Sequence, residues 1–319
     1  MARRPRGRRG CVWVILALLL VLALIAVALL VVSDREDIPG PDLTPPVLDE
    51  DPRAQPAECP DVELVSIPGT WESAPDDDPY NPQANPESLL LTMTQPLQEQ
   101  FPDERLRVYT VPYVAQFRNP ELPEDVPYDE SRADGMEEAS AHLAATHEYC
   151  PYTTFMLVGF SQGAVIAGDM TSDIGQGRGP VPEANVATSV LIADGRREPA
   201  LAQSPGLPPE NGLGMEIALA PASGLTQLIA GATMTGPRPG GFGEMDDRTV
   251  DICDAHDHIC NAPHNLVDGA ARIGDFLANA AAHAQYATNP NVIEGTTVPE
   301  WVIGHLAGIV DETEEVPHL

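Results

Sequence analysis

A serine framed by two glycines, Gly159-Phe160-Ser161-Gln162-Gly163, follows directly on an apolar run at 153–160. A hydroxyl becomes a nucleophile near neutral pH when a base takes its proton and an acid orients that base. Gly-x-Ser-x-Gly spacing fits the sharp turn from strand to helix that displays such a serine, because the glycines let the two elements approach closely. The run before Ser161 reads as a strand buried on both faces, and 163–171 reads as the helix after it. The N–H groups that open this helix would lie under an oxyanion developing at Ser161. Ser161 is therefore expected to be the nucleophile of an acyl transfer; the competing reading is an ordinary strand-to-helix turn.

On this kind of sheet the acid and then the base follow the serine in chain order. The segment 253–264, CDAHDHICNAPH, offers Asp257 as the acid, and His256, His258, His264 and His283 are the candidate bases. His256 and His258 adjoin Asp257 and are poorly placed to turn back on it. His264 lies seven residues on, and His283 comes after a helix-like stretch whose chain can return to the site. A competing use of His256, Asp257, His258 and His264 is zinc binding. The independent context of Ser161 argues against it, so neither a metal nor a cofactor is expected.

The elements that must position these groups alternate along the chain. Strands are expected at 62–67, 106–113, 153–160, 187–194 and 248–255. Helices are expected at 88–101, kinked or split by Pro96, at 128–150 with Met136, Ala139, Leu143 and Ala144 on one side, and at 163–171 and 270–286. Strands separated by helices imply an α/β fold, a three-layer sandwich around a mainly parallel five-stranded sheet. The Gly- and Pro-rich stretch 195–247, with a helix-like piece at 224–234, interrupts the rhythm; it is expected to cover the fold rather than to act as a lid.

Upstream the sequence changes character. Residues 1–10 carry five Arg and no acid, and 11–32 are 22 consecutive apolar residues. In a helix that run reaches roughly 33 Å, enough to cross a bilayer's hydrocarbon core. Its length and the lack of a small-x-small cleavage site favour an uncleaved signal anchor over a signal peptide. With the five Arg cytoplasmic, the rest lies outside the cell membrane as a single-pass protein. Residues 33–57, rich in Pro and acids, read as a disordered linker, and 58–319 as the catalytic domain.

With 17 Arg, no Lys and 48 acids the chain carries a net charge of −31. Nucleic acid is excluded as a partner, since phosphate binding needs clustered cations. Leaving Cys11 aside, the four cysteines Cys59, Cys150, Cys253 and Cys260 favour two disulfides in an oxidising compartment.

From about residue 58 onward the sequence resembles the cutinase-like serine esterases, specifically their actinobacterial, membrane-anchored branch. "GFSQGA" is similar to that family's nucleophile motif, which implies Ser161 as nucleophile and the Gln162 N–H as an oxyanion donor. "PGTWE" resembles its other oxyanion element and implies Thr70 as the second donor. The resemblance implies disulfides Cys59–Cys150 and Cys253–Cys260, Asp257 as the acid three residues before the last Cys, and, through the His-x-x-Tyr segment "HAQYAT", His283 as the base. It also implies a C-terminal helix in "VPEWVIGHLAGIV". The loop departs from the pattern on both sides of the acid: where the family has Gly-Asp-Pro/Leu this chain has His256-Asp257-His258, and losing the Gly removes a permissive backbone residue. The expected activity is hydrolysis of lipid or fatty-acyl esters or thioesters by a monomeric enzyme. The alternatives are an acyltransferase with the same triad and an inactive hydrolase-fold scaffold.

Overall fold

The computed structural model describes residues 53–206, 212–262 and 281–319. The apolar run 11–32, most of the linker, His264 and most of the expected helix 270–286 lie outside them. Among the described residues no helix is long and apolar enough to cross a membrane.

Five parallel strands form one sheet in the order β2-β1-β3-β4-β5: β1 Val62–Ile67, β2 Leu106–Thr110, β3 Thr154–Phe160, β4 Val186–Ile192 and β5 Thr249–Ile252. Among the described residues the α-helices are α1 Leu91–Gln100, α2 Tyr128–Tyr149, α3 Gln162–Gly175, α4 Met215–Ala218, α5 Ser223–Ala230 and α6 Val298–Glu312. This is the three-layer arrangement expected for strands that alternate with helices.

Strand alternation divides the core in two. Val62 and Leu64 of β1, with Met156, Val158 and Phe160 of β3, face α1 and α6, where Leu97, Val302 and Leu306 meet them. Val65 and Ile67, with Phe155 and Leu157, face α2 and α3, against Leu143, Ile166 and Met170. A register slip of one residue would exchange the two sets, so burial on both faces fixes the register.

Several expected boundaries move. The second strand ends at Thr110 rather than at 113, because the chain leaves the sheet ahead of Pro112, which has no N–H for a ladder; the fifth ends at Ile252. Pro96 lies inside α1 without splitting it. The buried residues of α2 are Tyr128, Ser131, Gly135, Ala139 and Leu143, while Ala144 is exposed. The small Ser131 and Gly135 let α2 come close; a Cβ on Gly135 would stand 2.8 Å from Ile166 of α3.

The described parts of the stretch 195–247 are held against the sheet's helices by ion pairs that are buried or nearly so. Arg238 reaches Asp194 (2.6 Å) and Asp169 (2.8 Å), Arg196 reaches Asp169 (2.6 Å), and Arg132 reaches Glu216 (3.0 Å) and Asp169. Desolvation disfavours charge at Asp169, yet the three guanidiniums around it hold its carboxyl below the usual range. Breaking such a pair is costly because one charge stays buried and unpaired, so these residues fasten the stretch to α2 and α3.

Candidate active site

The sheet order reverses beside β1 and β3, and the crevice at the carboxyl ends of strands at such a reversal is where open α/β sheets bind ligands. Thr70 follows β1 there, and Ser161 follows β3. Ser161 sits at φ 54°, ψ −118°, a backbone region that costs a non-glycine residue about 1–3 kcal/mol and persists only when its surroundings enforce it. Its N–H donates to the Ile192 carbonyl of β4 (2.9 Å), and its carbonyl accepts from the Val165 N–H (3.1 Å). The flanking glycines close the turn. A Cβ on Gly159 would meet the Gly163 carbonyl oxygen at 2.3 Å, and one on Gly163 would meet the Ile67 carbonyl oxygen at 1.9 Å.

The structure brings three of the sequence candidates into one line. His283 Nε2 lies 2.9 Å from Ser161 Oγ, and His283 Nδ1 lies 2.8 Å from Asp257 Oδ2. With Nδ1–H donating to the carboxylate, Nε2 is left to accept the serine proton. The Phe160 ring stacks on the imidazole at 5.1 Å between centroids, which keeps the ring in that plane.

Asp257 is buried in the loop closed by the Cys253–Cys260 disulfide. Its Oδ1 accepts the Ile259 N–H (2.9 Å), and its Oδ2 accepts both His283 and the Tyr286 hydroxyl (2.9 Å). Tyr286 in turn accepts the Asp254 N–H (2.9 Å). Burial, then the adjacent Asp257 carboxylate, pushes the Tyr286 hydroxyl well above its ordinary range, so it stays a donor.

The neighbouring histidines face elsewhere. His256 Nδ1 lies 3.1 Å from Asp254 Oδ1, and His258 Nδ1 lies 3.4 Å from the Asn261 carbonyl. His256 has no positive φ, so the loop holds its course without the glycine expected there. Among the described residues no three His, Cys, Asp or Glu side chains form a metal-binding group.

On the opposite side of Ser161 lies Thr70. Its hydroxyl donates to Gln162 Oε1 (3.0 Å), and Gln162 Nε2 donates to Ser131 Oγ (2.8 Å). The Gln162 N–H heads α3 and so has no intrahelical carbonyl to meet. The loop carrying Thr70 is tied down by Glu72, whose carboxylate accepts the Gly69 N–H (3.2 Å), the Ser88 hydroxyl (3.0 Å) and the Leu89 N–H (3.2 Å). Burial raises the Glu72 carboxyl above its ordinary value against these bonds. The second disulfide joins Cys59 before β1 to Cys150 after α2.

Tyr286, Glu72 and Ser131 have roles in the site that the sequence alone does not announce. Tyr286 and Glu72 stand inside the quoted segments "HAQYAT" and "PGTWE", which was the available signal; Ser131 gave none.

The family model described as Cutinase matches residues 83–290. The chain is 45% identical over 302 residues to the carboxylesterase Culp6 homolog of Corynebacterium glutamicum, covering 93% of this chain and 97% of that protein. Similar solved structures include the catalytic core domain of acetyl xylan esterase from Trichoderma reesei, 19% identical over 72% of this chain and 98% of its own, with a TM-score of 0.45. Lysin B from Mycobacteriophage D29 is 14% identical over 79% of this chain and 88% of its own, with a TM-score of 0.40.

Proposed function

The chain belongs to the cutinase family and is a carboxylic ester hydrolase, and from that premise we propose that it is a membrane-anchored, extracytoplasmic serine esterase cleaving lipid or fatty-acyl esters and thioesters through an acyl-enzyme. The observation that carries the mechanism is the continuous hydrogen-bonded line from Ser161 through His283 to Asp257.

In this reading His283 Nε2 takes the Ser161 proton as Oγ attacks the acyl carbonyl. Asp257 fixes the imidazole tautomer and steadies its positive charge. The oxyanion lies between the Gln162 N–H and Thr70; one such donor contributes about 2.7–4 kcal/mol to lowering the barrier. His283 then returns the proton to the leaving alcohol or thiol. Water, deprotonated by the same nitrogen, releases the acid and restores Ser161.

The anchoring rests on the 22 apolar residues at 11–32 behind five Arg. The external placement also suits the two disulfides. The test is hydrolysis of p-nitrophenyl esters from butyrate to palmitate. Wild type should turn them over, and Ser161→Ala and His283→Ala should fall to background; full activity in either variant would remove the triad from the mechanism.

A further inference from the structure

We propose that α5, together with Trp71, is a lipid-docking face beside the mouth of the active site, its occupant the neutral acyl layer of a lipid–water interface. The proposal rests on the esterase reading above and adds how substrate reaches it.

Leu225, Leu228 and Ile229 of α5 are 59%, 81% and 50% exposed. Their spacing places them on one face of the helix. The other side is anchored: Ala230, Ala232 and Met234 bury against Tyr128, with Phe117, Leu219 and Ala220 around them. The helix is also clamped at its ends. Gly231 terminates it at φ 60°, and its carbonyl accepts the Asp129 N–H (3.0 Å). The Asp129 carboxylate accepts the Thr233 N–H (2.7 Å) and hydroxyl (2.6 Å), and Ser223 Oγ accepts the Met234 N–H (2.9 Å). Three large aliphatic side chains are thus held out in water by a fixed frame, which needs a reason.

The frame runs on to the oxyanion loop. Gly231 packs so closely on Pro127 that a Cβ there would stand 2.5 Å from it. Two residues earlier, Asp125 accepts the indole N–H of Trp71 (2.9 Å). Trp71 follows Thr70 and is 52% exposed. Residues 125–129 thus tie Trp71, next to the oxyanion element, to the C-terminal end of α5.

Charge argues for a lipid occupant. Residues 217–237 contain no Asp, Glu, Lys, Arg or His, in a chain of net charge −31. The flanking Glu216 and Arg238 are buried and paired inward. The helix that carries Leu225, Leu228 and Ile229 brings no ionic group of its own to that face, which suits a neutral acyl layer; the charges at its edge are Arg118 beside Gly231, Asp125, which holds Trp71, and Asp129, which holds Thr233. The chain outside the structure keeps such a layer within reach: the apolar run 11–32 is followed by residues 33–52, a tether of at most roughly 70 Å.

The test uses residues 51–319, which form a compact unit of their own containing both disulfides, with vesicles of phosphatidylcholine. Wild type should float with the vesicles equally at about 50 and 500 mM salt, and brominated acyl chains should quench Trp71 emission. The triple variant Leu225→Ser, Leu228→Ser, Ile229→Ser should lose at least about tenfold in vesicle partition and in hydrolysis of a vesicle-borne ester, while turnover of soluble p-nitrophenyl acetate stays within about twofold. Equal partition of wild type and variant overturns the proposal. So does a parallel loss on both esters, which would make α5 an acyl-binding wall, or a change from dimer to monomer in gel filtration, which would make the face a contact between copies. Wild type inactive on the soluble ester would instead refute the esterase mechanism itself.

Discussion

Replacing Gly163 by alanine inserts a methyl group into the tightest contact of the site. Its Cβ would stand 1.9 Å from the Ile67 carbonyl oxygen and 2.4 Å from that of Pro68, where ordinary contacts begin at 3.4 Å. Neither side can yield cheaply. Ile67 is the last residue of β1, hydrogen-bonded into the sheet, and Gly163 is the second residue of α3. The end of β1 and the head of α3 must therefore part by about 1.5 Å. That gap opens between Thr70 and Gln162, the two proposed oxyanion donors. A misplacement of about 1 Å can cost on the order of 100-fold, and losing a donor outright about 100- to 1000-fold. Gly163→Ala should accordingly lower kcat on p-nitrophenyl butyrate by about 100-fold or more, with KM much less affected, and overpacking should cost about 1–3 kcal/mol of stability. Gly304→Ala is the control: it lies in α6 with nothing within 4 Å of the new Cβ, so kinetics should be unchanged and stability should rise by about 0.5–1 kcal/mol. Activity of Gly163→Ala within about threefold of wild type, at an unchanged melting temperature, would refute the close-approach argument.

Tyr286→Phe removes one donor from Asp257 and leaves the buried Asp254 N–H without its acceptor. Stability should fall by about 1–3 kcal/mol, and kcat by about tenfold with KM nearly constant; unaltered kinetics would deny Tyr286 any part in holding the acid. Burial raises the Asp251 carboxyl to about 7 in spite of Arg197, whose Nε lies 2.5 Å away. Folding therefore takes up a proton between about pH 4 and 7, and the contribution of this residue to stability falls as pH rises through that window. Asp251→Asn should flatten the melting-temperature profile there, and a profile parallel to wild type would contradict the assignment. Replacing Cys59 and Cys150 together by Ser opens a loop of 91 residues, worth about 4–5 kcal/mol in the chain-entropy model. Thermal unfolding should drop by about 8–20 °C, and a drop below about 3 °C would show that the bridge constrains little.

Ser161 was legible because its signal is local: two glycines, an apolar strand before and a helix after. The partner histidine was not, since 122 residues separate it from the serine and several histidines met the same chain-order rule. The resemblance to a known family chose His283, and the hydrogen-bond line places it beside Ser161. Apolarity alone points to Ala144 on the inner face of α2, yet Ala144 is exposed, and it is the small Ser131 and Gly135 that are buried where α2 packs closely. The ion-pair lattice over 195–247 left no trace in sequence. Arg132, Asp169, Glu216 and Arg238 come from four segments and Asp194 and Arg196 from a fifth, and each alone reads as a solvated surface charge. Only the packing of those segments buries Asp194, Arg196, Glu216 and Arg238 and largely covers Arg132 and Asp169.

The most direct test of the central claim is mass spectrometry after reaction with an alkyl phosphonate. The account predicts one adduct per chain, on the peptide carrying Ser161, with labelling and ester hydrolysis both abolished in Ser161→Ala. An adduct on a different residue, or a Ser161→Ala protein that still hydrolyses esters at the wild-type rate, would contradict it.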